Sequence, residues 1–450
     1  MLGKKIKKIA KSSRILYTTP SHDRTSFVIP GVSDFIGRKF FKHDLSEIND
    51  LDNLAEPEAD ILNSMKKSAD LIGVSDLFYL INGSSSGIIA AMCTVLSPGE
   101  KVLIARNCHK SVINGLILTG AEPVWFLPNF DYEWSIFNAV SVNQVDEILQ
   151  KNPDIKAVII TSPTYEGVCS DIASISTVCK KYNAFLIVDE AHGALKSFAP
   201  QYFGHNAVKL GADIAVQSLH KTCGAPNPCA ILISNGSVSR DKIQNALNLI
   251  NTSSPSYPML AVIEAVINYL CSDDGKIKIQ KLIDNISSLK CVFKNCDDIT
   301  FYDKNDITKL FIKINGLSGF DLSEILFDEF NIEDELANNS ASLLLTGIGT
   351  SKHKLKILEK ALKIILTTKY SYPKEFPLPP FLLSDIEMPP RDAFFAENTY
   401  ISIENSLGRI CAESVVEYPP GIPVILPGEK ISAEHIKYFS SKLKLIKVVG

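Results

Sequence analysis

From residue 76 onward, short apolar runs alternate with longer stretches in which apolar positions recur every three or four residues. The runs "DLFYLIN", "KVLIAR", "EPVWFLP", "KAVIITSP", "AFLIVDEA" and "IAVQSLHK" have the length and composition of strands. Between them, "SSGIIAAMCTVL", "HKSVINGLILTG", "VDEILQKN" and "IASISTVCKKYN" carry helical periodicity. Strand and helix repeated in this way predict an α/β fold, with a mostly parallel sheet covered by helices on both faces. After about residue 270 the texture changes. Lysine-rich helical stretches, "KIKIQKLIDNISSLK" and "SKHKLKILEKALKIIL", flank the short strands "KLFIKING" and "ASLLLTGIG", which predicts a smaller α/β unit. The proline-rich "SYPKEFPLPPF" then reads as an extended linker. In the tail, the proline density of "YPPGIPVILPGE" excludes a regular helix and favours rigid turns. No internal repeat or low-complexity tract is visible. The expected division is an N-terminal segment 1–45, a large domain 46–270, a small α/β domain 271–370 and a C-terminal domain 371–450.

Composition narrows the class. With 450 residues, 46% of them hydrophobic and 21% charged, the chain can bury a large core spread over two or three domains. A net charge of −4 leaves no electrostatic footprint for nucleic acid. The basic start "MLGKKIKKIAKSSR" is followed by no apolar run of the secretory kind and reads as a solvated or docking segment. The longest apolar runs stop well short of the roughly 20 residues that a membrane span needs. Ten cysteines, at 93, 108, 169, 179, 223, 229, 271, 291, 296 and 411, show neither C-x-x-C pairing nor zinc-type histidine spacing. Reduced thiols in a cytoplasmic protein without a metal site are the expectation.

In a parallel α/β sheet, ligands bind where the strands end at their carboxyl edge. The segments that follow those ends are "NGSSSG", "RNCHKS", "SPTYEG", "DEAHG" and "QSLHKT". Each has an ordinary structural reading: a serine after glycine caps helices, a strand-end aspartate caps locally, and a lysine in a loop faces water. Each also has a chemical one. "NGSSSG" puts Ser84, Ser85 and Ser86 with free amides at a helix amino terminus, a cup for phosphate. "VDEAHG" puts Asp189 at the end of an apolar strand, where it can hold a cation, with His192 close behind. A lysine able to form an imine, an acid on an upstream strand end, an aromatic ring to stack and a phosphate cup are together what pyridoxal phosphate requires. "TGIGT" lacks the dinucleotide glycine pattern and neither "PGEK" has P-loop spacing, which leaves nucleotide binding without support.

The combination resembles the Orn/Lys/Arg decarboxylase family of fold-type I pyridoxal-phosphate enzymes, in its short form. The resemblance runs from about residue 22 to 440 through "NGSSSGIIAAM", "RNCHKSVINGLILTGAEPVW", "TSPTYEGV", "VDEAHGA", "GADIAVQSLHKT", "TSSPSYPMLA" and "LGRICAESVVEYPPGIPVILPGE". It implies a fold-type I large domain with a mostly parallel sheet, plus smaller α/β C-terminal domains. It implies Lys221 as the residue that links to pyridoxal 5'-phosphate, Asp189 as partner of the pyridine nitrogen and His109 as the stacking ring. Ser84, Ser85, Ser86, Ser218 and His220 would lie by the phosphate, Thr164 beside the cofactor and His192 near its ring. "TSSPSY" is similar to a segment that reaches a neighbouring subunit's site, which makes Ser253 and Ser254 weaker candidates and a homodimer or higher even oligomer the expected assembly. The implied reaction is α-decarboxylation of arginine, lysine or ornithine to a polyamine or its precursor. Glu413 or Glu429 could receive the substrate's distal cation, although charged residues in turns usually face water.

The chain departs from the family pattern near its start. A "PGHKGG"-like stretch is reduced to "IPGVSDF", which keeps Pro30 and Gly31, and "NLAEPEADI" lacks the expected histidine and glycine. Those losses bear on substrate choice and turnover more than on the cofactor. Transamination, acyl transfer or a binding protein of reduced activity would use the same cofactor residues and stay open as alternatives.

Overall fold

The computed structural model describes residues 1–12, 18–22, 24, 36–370, 378, 380, 386–417 and 421–450. Pro30 and Gly31, most of the proline-rich stretch and Tyr418 to Pro420 lie outside the described residues.

Seven strands, β1 (Asp76–Leu80), β2 (Lys101–Ala105), β3 (Glu122–Phe126), β4 (Ile155–Thr161), β5 (Phe185–Asp189), β6 (Ile214–Ser218) and β7 (Ala230–Ser234), form one sheet in the order β1-β7-β6-β5-β4-β2-β3. The neighbours from β3 through β6 are all parallel. Strand β7 alone runs backwards, antiparallel to both β6 and β1. Side chains alternate across the sheet with the period of two that strand geometry imposes. Tyr79, Leu103, Val158, Ile160, Leu186 and Val188 join one core, while Phe78, Val102, Ile104, Ile159, Ile187 and Val216 join the other. Both faces are buried, so the strands read as unbroken apolar runs.

The principal helices of this part are α1 (Leu2–Ala10), α2 (Asp60–Ile72), α3 (Gly83–Val95), α4 (Lys110–Thr119), α5 (Val142–Lys151), α6 (Ile172–Lys181), α7 (Leu219–Thr222), α8 (Arg240–Asn248) and α9 (Tyr257–Leu270). Helices α2, α5, α6 and α9 supply Met65, Leu149, Ile175 and Ile263 to the first core. Helices α3, α4 and α8 supply Met92, Leu116 and Leu247 to the second. The basic start is a docked helix: Leu2, Ile6 and Ile9 of α1 are buried, each side chain contributing roughly 1.5–3 kcal/mol. Its first amides, Leu2 N and Gly3 N, donate to the buried Glu264 carboxylate of α9 at 2.9 and 3.0 Å, a cap supplied by another helix.

The smaller sheet is antiparallel throughout, with β8 (Ile299–Phe301), β9 (Lys309–Ile314), β10 (Leu336–Ala337) and β11 (Ser342–Leu345) in the order β8-β9-β11-β10. Helices α10 (Asp273–Val292), α11 (Gly319–Phe330) and α12 (Lys352–Thr367) close its core through Ile286, Leu326 and Leu362. In the C-terminal part β12 (Asn398–Ser402) pairs β15 (Leu445–Val449), and β13 (Val415–Glu417) pairs β14 (Ile422–Ile425), around Val424, Ile446 and Val448. All ten cysteines are free thiols. Among the described residues no helix is long and apolar enough to cross a membrane.

The pattern "IAVQSLHK" predicts a strand through Lys221, and here the structure differs. Strand β6 stops at Ser218 because the Leu219 and His220 amides both turn to the Cys229 carbonyl, at 3.0 and 3.3 Å. Cys223 N then closes the turn of α7 on the Leu219 carbonyl at 3.0 Å. The turn lifts Lys221 off the sheet edge.

Candidate active site

The register Thr161 to Asp189 to Val216 brings β4, β5 and β6 to an end nearly level, so the turns after them emerge side by side. Main-chain bonds continue past the strands, with Ser162 N on the Asp189 carbonyl at 3.0 Å and Ser218 N on the Ala191 carbonyl at 3.3 Å. Asp189, 4% exposed, is held through Oδ1 by Ala191 N at 3.1 Å. From the next turn Lys221 reaches over, and its Nζ lies 2.7 Å from His192 Nε2. Burial lowers the Lys221 pKa from that of an ordinary lysine, Asp189 opposes the shift, and Lys309 adds to it. His192 is driven well below the usual histidine range by burial and by the nearby lysines, so its ring is neutral at physiological pH.

His109 begins α4 as its N-cap, Nδ1 accepting from Ser111 N at 3.2 Å with Ser111 Oγ at 2.9 Å. An acceptor Nδ1 places the proton of the neutral ring on Nε2 and holds the imidazole in one orientation. Burial lowers the His109 pKa, with Asp189 opposing. On the neighbouring turn Ser218 Oγ donates to Ser84 Oγ at 2.8 Å, joining the end of β6 to the start of α3. Helix α3 begins without a side-chain cap, whereas α5 and α6 are capped by Ser141 and Asp171. Gly83, at φ +77°, turns the chain into it in a backbone conformation that side chains resist. The leading amides of α3 are thus left for an anion.

Lys221, Asp189, His109, His192, Ser84, Ser85, Ser218 and His220 therefore lie on adjoining strand ends, although separated widely in the chain. Not all hydroxyls expected at the site point to a ligand. Ser86 Oγ donates to the Gly83 carbonyl at 2.8 Å inside its own helix. Thr164 Oγ1 is engaged within its turn, donating to Glu166 at 2.9 Å and accepting from Val168 N at 3.2 Å. His220 Nδ1 donates to the Cys229 carbonyl at 3.1 Å. Ser253 and Ser254 are exposed on the segment before α9.

Glu413 and Glu429, expected as candidates for the substrate's distal cation, both have partners within the chain. Glu429, 1% exposed, faces the fully buried Arg106 guanidinium at 3.3 Å and accepts from Leu426 N at 2.8 Å. Arg106 also donates to the Pro423 and Val424 carbonyls at 2.5 and 2.9 Å, so the pair clamps the C-terminal part to the end of β2. Glu413 accepts from Lys447 N at 2.8 Å within the C-terminal part. The acid near Lys221 is instead Glu335, just before β10, whose carboxylate accepts from the Tyr165 hydroxyl and whose charge raises the Lys221 pKa. Tyr165 packs tilted against His192, with 4.3 Å between ring centroids, and Lys221 Nζ lies 5.7 Å from its ring centre. Tyr165 stands in the "SPTYEG" loop that the strand-end rule marks; Glu335 carries no such sequence signal.

Pyridoxal phosphate fits these residues on structural grounds. There is an amine of lowered pKa, a buried carboxylate one strand away, a neutral ring of set orientation and an uncapped helix start. His192 Nδ1 and Asn107 Oδ1 are also buried at the same edge without hydrogen-bond partners, places a polar ligand would complete. A seven-stranded sheet with one reversed strand and a lysine and an acid at its carboxyl edge defines the large domain of the fold-type I pyridoxal-phosphate enzymes. Solved structures share this fold: lysine decarboxylase A from Pseudomonas aeruginosa superposes with a TM-score of 0.87 at 18% identity, covering 100% of this chain and 80% of that one. An alanine–glyoxylate aminotransferase from Nostoc sp. superposes at 0.55 and 16% identity, over 70% of this chain and 89% of that one.

Sequence comparison is narrower. Residues 2–315 match the Orn/Lys/Arg decarboxylase major domain and residues 382–447 its C-terminal domain. The chain is 31% identical to the arginine decarboxylase of Bacillus subtilis (strain 168), across 97% of this chain and 92% of that one. It is 30% identical to the arginine decarboxylase of Halalkalibacterium halodurans, across 95% and 90%. The chain belongs to the Orn/Lys/Arg decarboxylase family.

Proposed function

We propose that the chain is a pyridoxal-phosphate-dependent α-decarboxylase of a basic amino acid, arginine, lysine or ornithine, with a polyamine or its precursor as product. The observation that carries this reading is the Lys221 amine, of lowered pKa, set among Asp189, His109 and His192 at one sheet edge. Bound there, pyridoxal phosphate supplies an electron sink for the pair released when the bond from Cα to the carboxylate breaks. Lys221 would provide the amine that holds the cofactor. Lowered basicity leaves more of that amine uncharged and nucleophilic at neutral pH. Asp189, buried at the end of β5, would hold a proton on the pyridine nitrogen. His109 would offer a flat face for stacking, and Ser84, Ser85, Ser218 and His220, with the leading amides of α3, would hold the phosphate. Thr164 shapes the loop beside the cofactor and carries Tyr165 toward Lys221.

A basic substrate needs an anion at its far end, and Glu335 meets that need better than Glu413 or Glu429. Its carboxylate is oriented by Tyr165 and lies close enough to the lysine to act on its charge, whereas the other two are held by buried or main-chain partners. The exposed Ser253 and Ser254 segment suits contact with a second subunit, and we expect a dimer in sedimentation.

The test is a screen of arginine, lysine and ornithine with purified protein and added pyridoxal phosphate, following released carbon dioxide. Release from one of the three, together with a visible cofactor absorbance lost in Lys221→Ala, is the expected result. Keto-acid formation without carbon dioxide would overturn the decarboxylase reading in favour of transamination.

A further inference from the structure

Lys309 is a lysine with no exposure to water. It opens β9 of the smaller sheet, yet it reaches into the large one: Nζ donates to the His192 carbonyl at 3.3 Å and to Thr308 Oγ1 at 3.2 Å. Asp306 stands 3.5 Å away as its counter-ion, 5% exposed. Asp306 is itself fixed, Oδ1 accepting from Thr308 N at 2.8 Å and Thr308 Oγ1 at 2.7 Å. A buried ion pair costs desolvation that its attraction seldom exceeds, so it is weak evidence for stability and invites another role.

The surroundings point to that role. Asp306 N donates to the Gly167 carbonyl at 3.0 Å, and Asn305 Nδ2 donates to the Glu166 carbonyl at 2.8 Å. A Cβ on Gly167 would come within 2.7 Å of Lys309 Cγ, so the stem of this lysine lies flush against the loop that carries Tyr165. On the other side Ile348 N donates to the Thr222 carbonyl at 3.0 Å, next to Lys221. Loops of the smaller sheet therefore grip all three segments that carry Tyr165, His192 and Lys221, with the Lys309 ammonium at the middle.

We propose that Lys309, held by Asp306, is a positioning residue for Lys221: it fixes the His192 main chain so that the imidazole meets the Lys221 amine, and it sets a buried positive charge on the same histidine that this amine contacts. The inference rests on the pyridoxal-phosphate reading of the site and adds to it an electrostatic part played by the smaller sheet. The groups that face Lys221 are Asp189 from β5, His192 from the next turn, His109 from the start of α4, Glu335 from before β10, the adjacent His220 and Lys309 from β9. Asp189 and Glu335 favour the charged amine, while burial and Lys309 oppose it. Lys309 also acts against protonation of His192.

The experiment is a pH titration of the visible absorbance of the pyridoxal-phosphate-loaded protein, with the rate at which apo-protein takes up the cofactor as a second readout. In Lys309→Met the midpoint for protonation of the Lys221 linkage is expected to rise by about one pH unit, and uptake at neutral pH to slow by about tenfold, as a neighbouring charge predicts. Lys309→Arg keeps the charge and should leave the midpoint in place. Should Lys309→Met fail to fold because Asp306 is stranded, Asp306→Asn/Lys309→Met removes both charges and should still raise the midpoint, since it is Lys309 that reaches the His192 main chain. An unchanged midpoint in the folded variants overturns the inference while leaving the cofactor reading intact. Absence of any Lys221-dependent absorbance in the parent protein overturns both.

Discussion

Replacing Glu429 by alanine separates two roles for this acid by different observables. Its carboxylate and the Arg106 guanidinium are 1% and 0% exposed, so removing one leaves the other charged in a site water does not reach. Breaking such a pair costs about 3–5 kcal/mol, and the Leu426 amide that loses its acceptor adds about 1 kcal/mol or more. Against this, Arg106 retains the Pro423 and Val424 carbonyls, which keeps the expected loss near 4 kcal/mol rather than higher. With the 450-residue chain unfolding as one cooperative unit, at about 2.1 cal/mol/K per residue, that corresponds to a fall in Tm on the order of 4 °C. Glu429→Gln, which still accepts from Leu426, should fall by about half as much. In Arg106→Met/Glu429→Leu, where neither charge is stranded, at least about 1 kcal/mol of the summed losses should be recovered. The assays are thermal unfolding by circular dichroism and KM for whichever basic amino acid is turned over. A Tm within about 2 °C of the parent in Glu429→Ala, accompanied by a large rise in KM, would refute the clamp and return Glu429 to the substrate.

Three further outcomes follow from the site and its surroundings. Asp189→Asn removes the charge that holds a proton on the pyridine nitrogen, and kcat should fall by roughly 10³-fold while cofactor is still bound, measured by steady-state kinetics alongside absorbance. Glu335→Gln should raise KM for the basic substrate by about tenfold or more with a smaller change in kcat, the loss of one charge-assisted contact, and an unchanged KM would point the distal cation elsewhere. Glu190 is buried against Ala207 N and Gln217, and burial pushes its pKa from 4.5 up to about 7, with Lys196 opposing. The folded chain then holds a proton that the unfolded chain releases, so the parent should lose stability, by a few kcal/mol at most, as pH rises from about 4.5 to about 7. Glu190→Gln should flatten that slope in denaturant unfolding measured across the window.

The strands that carry the site were legible because burial on both faces writes them as apolar runs, and the loops after them because polar residues gather where the runs stop. Strand β7, "AILIS", is as apolar as its neighbours, yet the alternation of strands and helices does not mark it. Its direction follows from the tight return through Pro226 to Cys229, and pairing direction has no signature in side-chain pattern. The sequence pattern runs β6 past its true end because the Cys229 carbonyl, not any property of "LHK", draws the chain into α7. In sequence Glu429 reads as a turn residue because its partner Arg106 stands more than three hundred residues earlier.

By itself the sequence determined the α/β class, the positions of most elements and the membership of Lys221, Asp189, His109, His192 and the serines in one polar edge, since these depend on local period and on residue type at strand ends. Tertiary structure decided which hydroxyls are already engaged, which acid lies by the lysine and which buried cation stands behind it. Those outcomes rest on contacts such as Tyr165 with Glu335 and Lys309 with His192, whose residues are far apart in the chain. Hydrogen bonding and charge act over a few ångströms of space, and no distance of that kind is written in the order of residues.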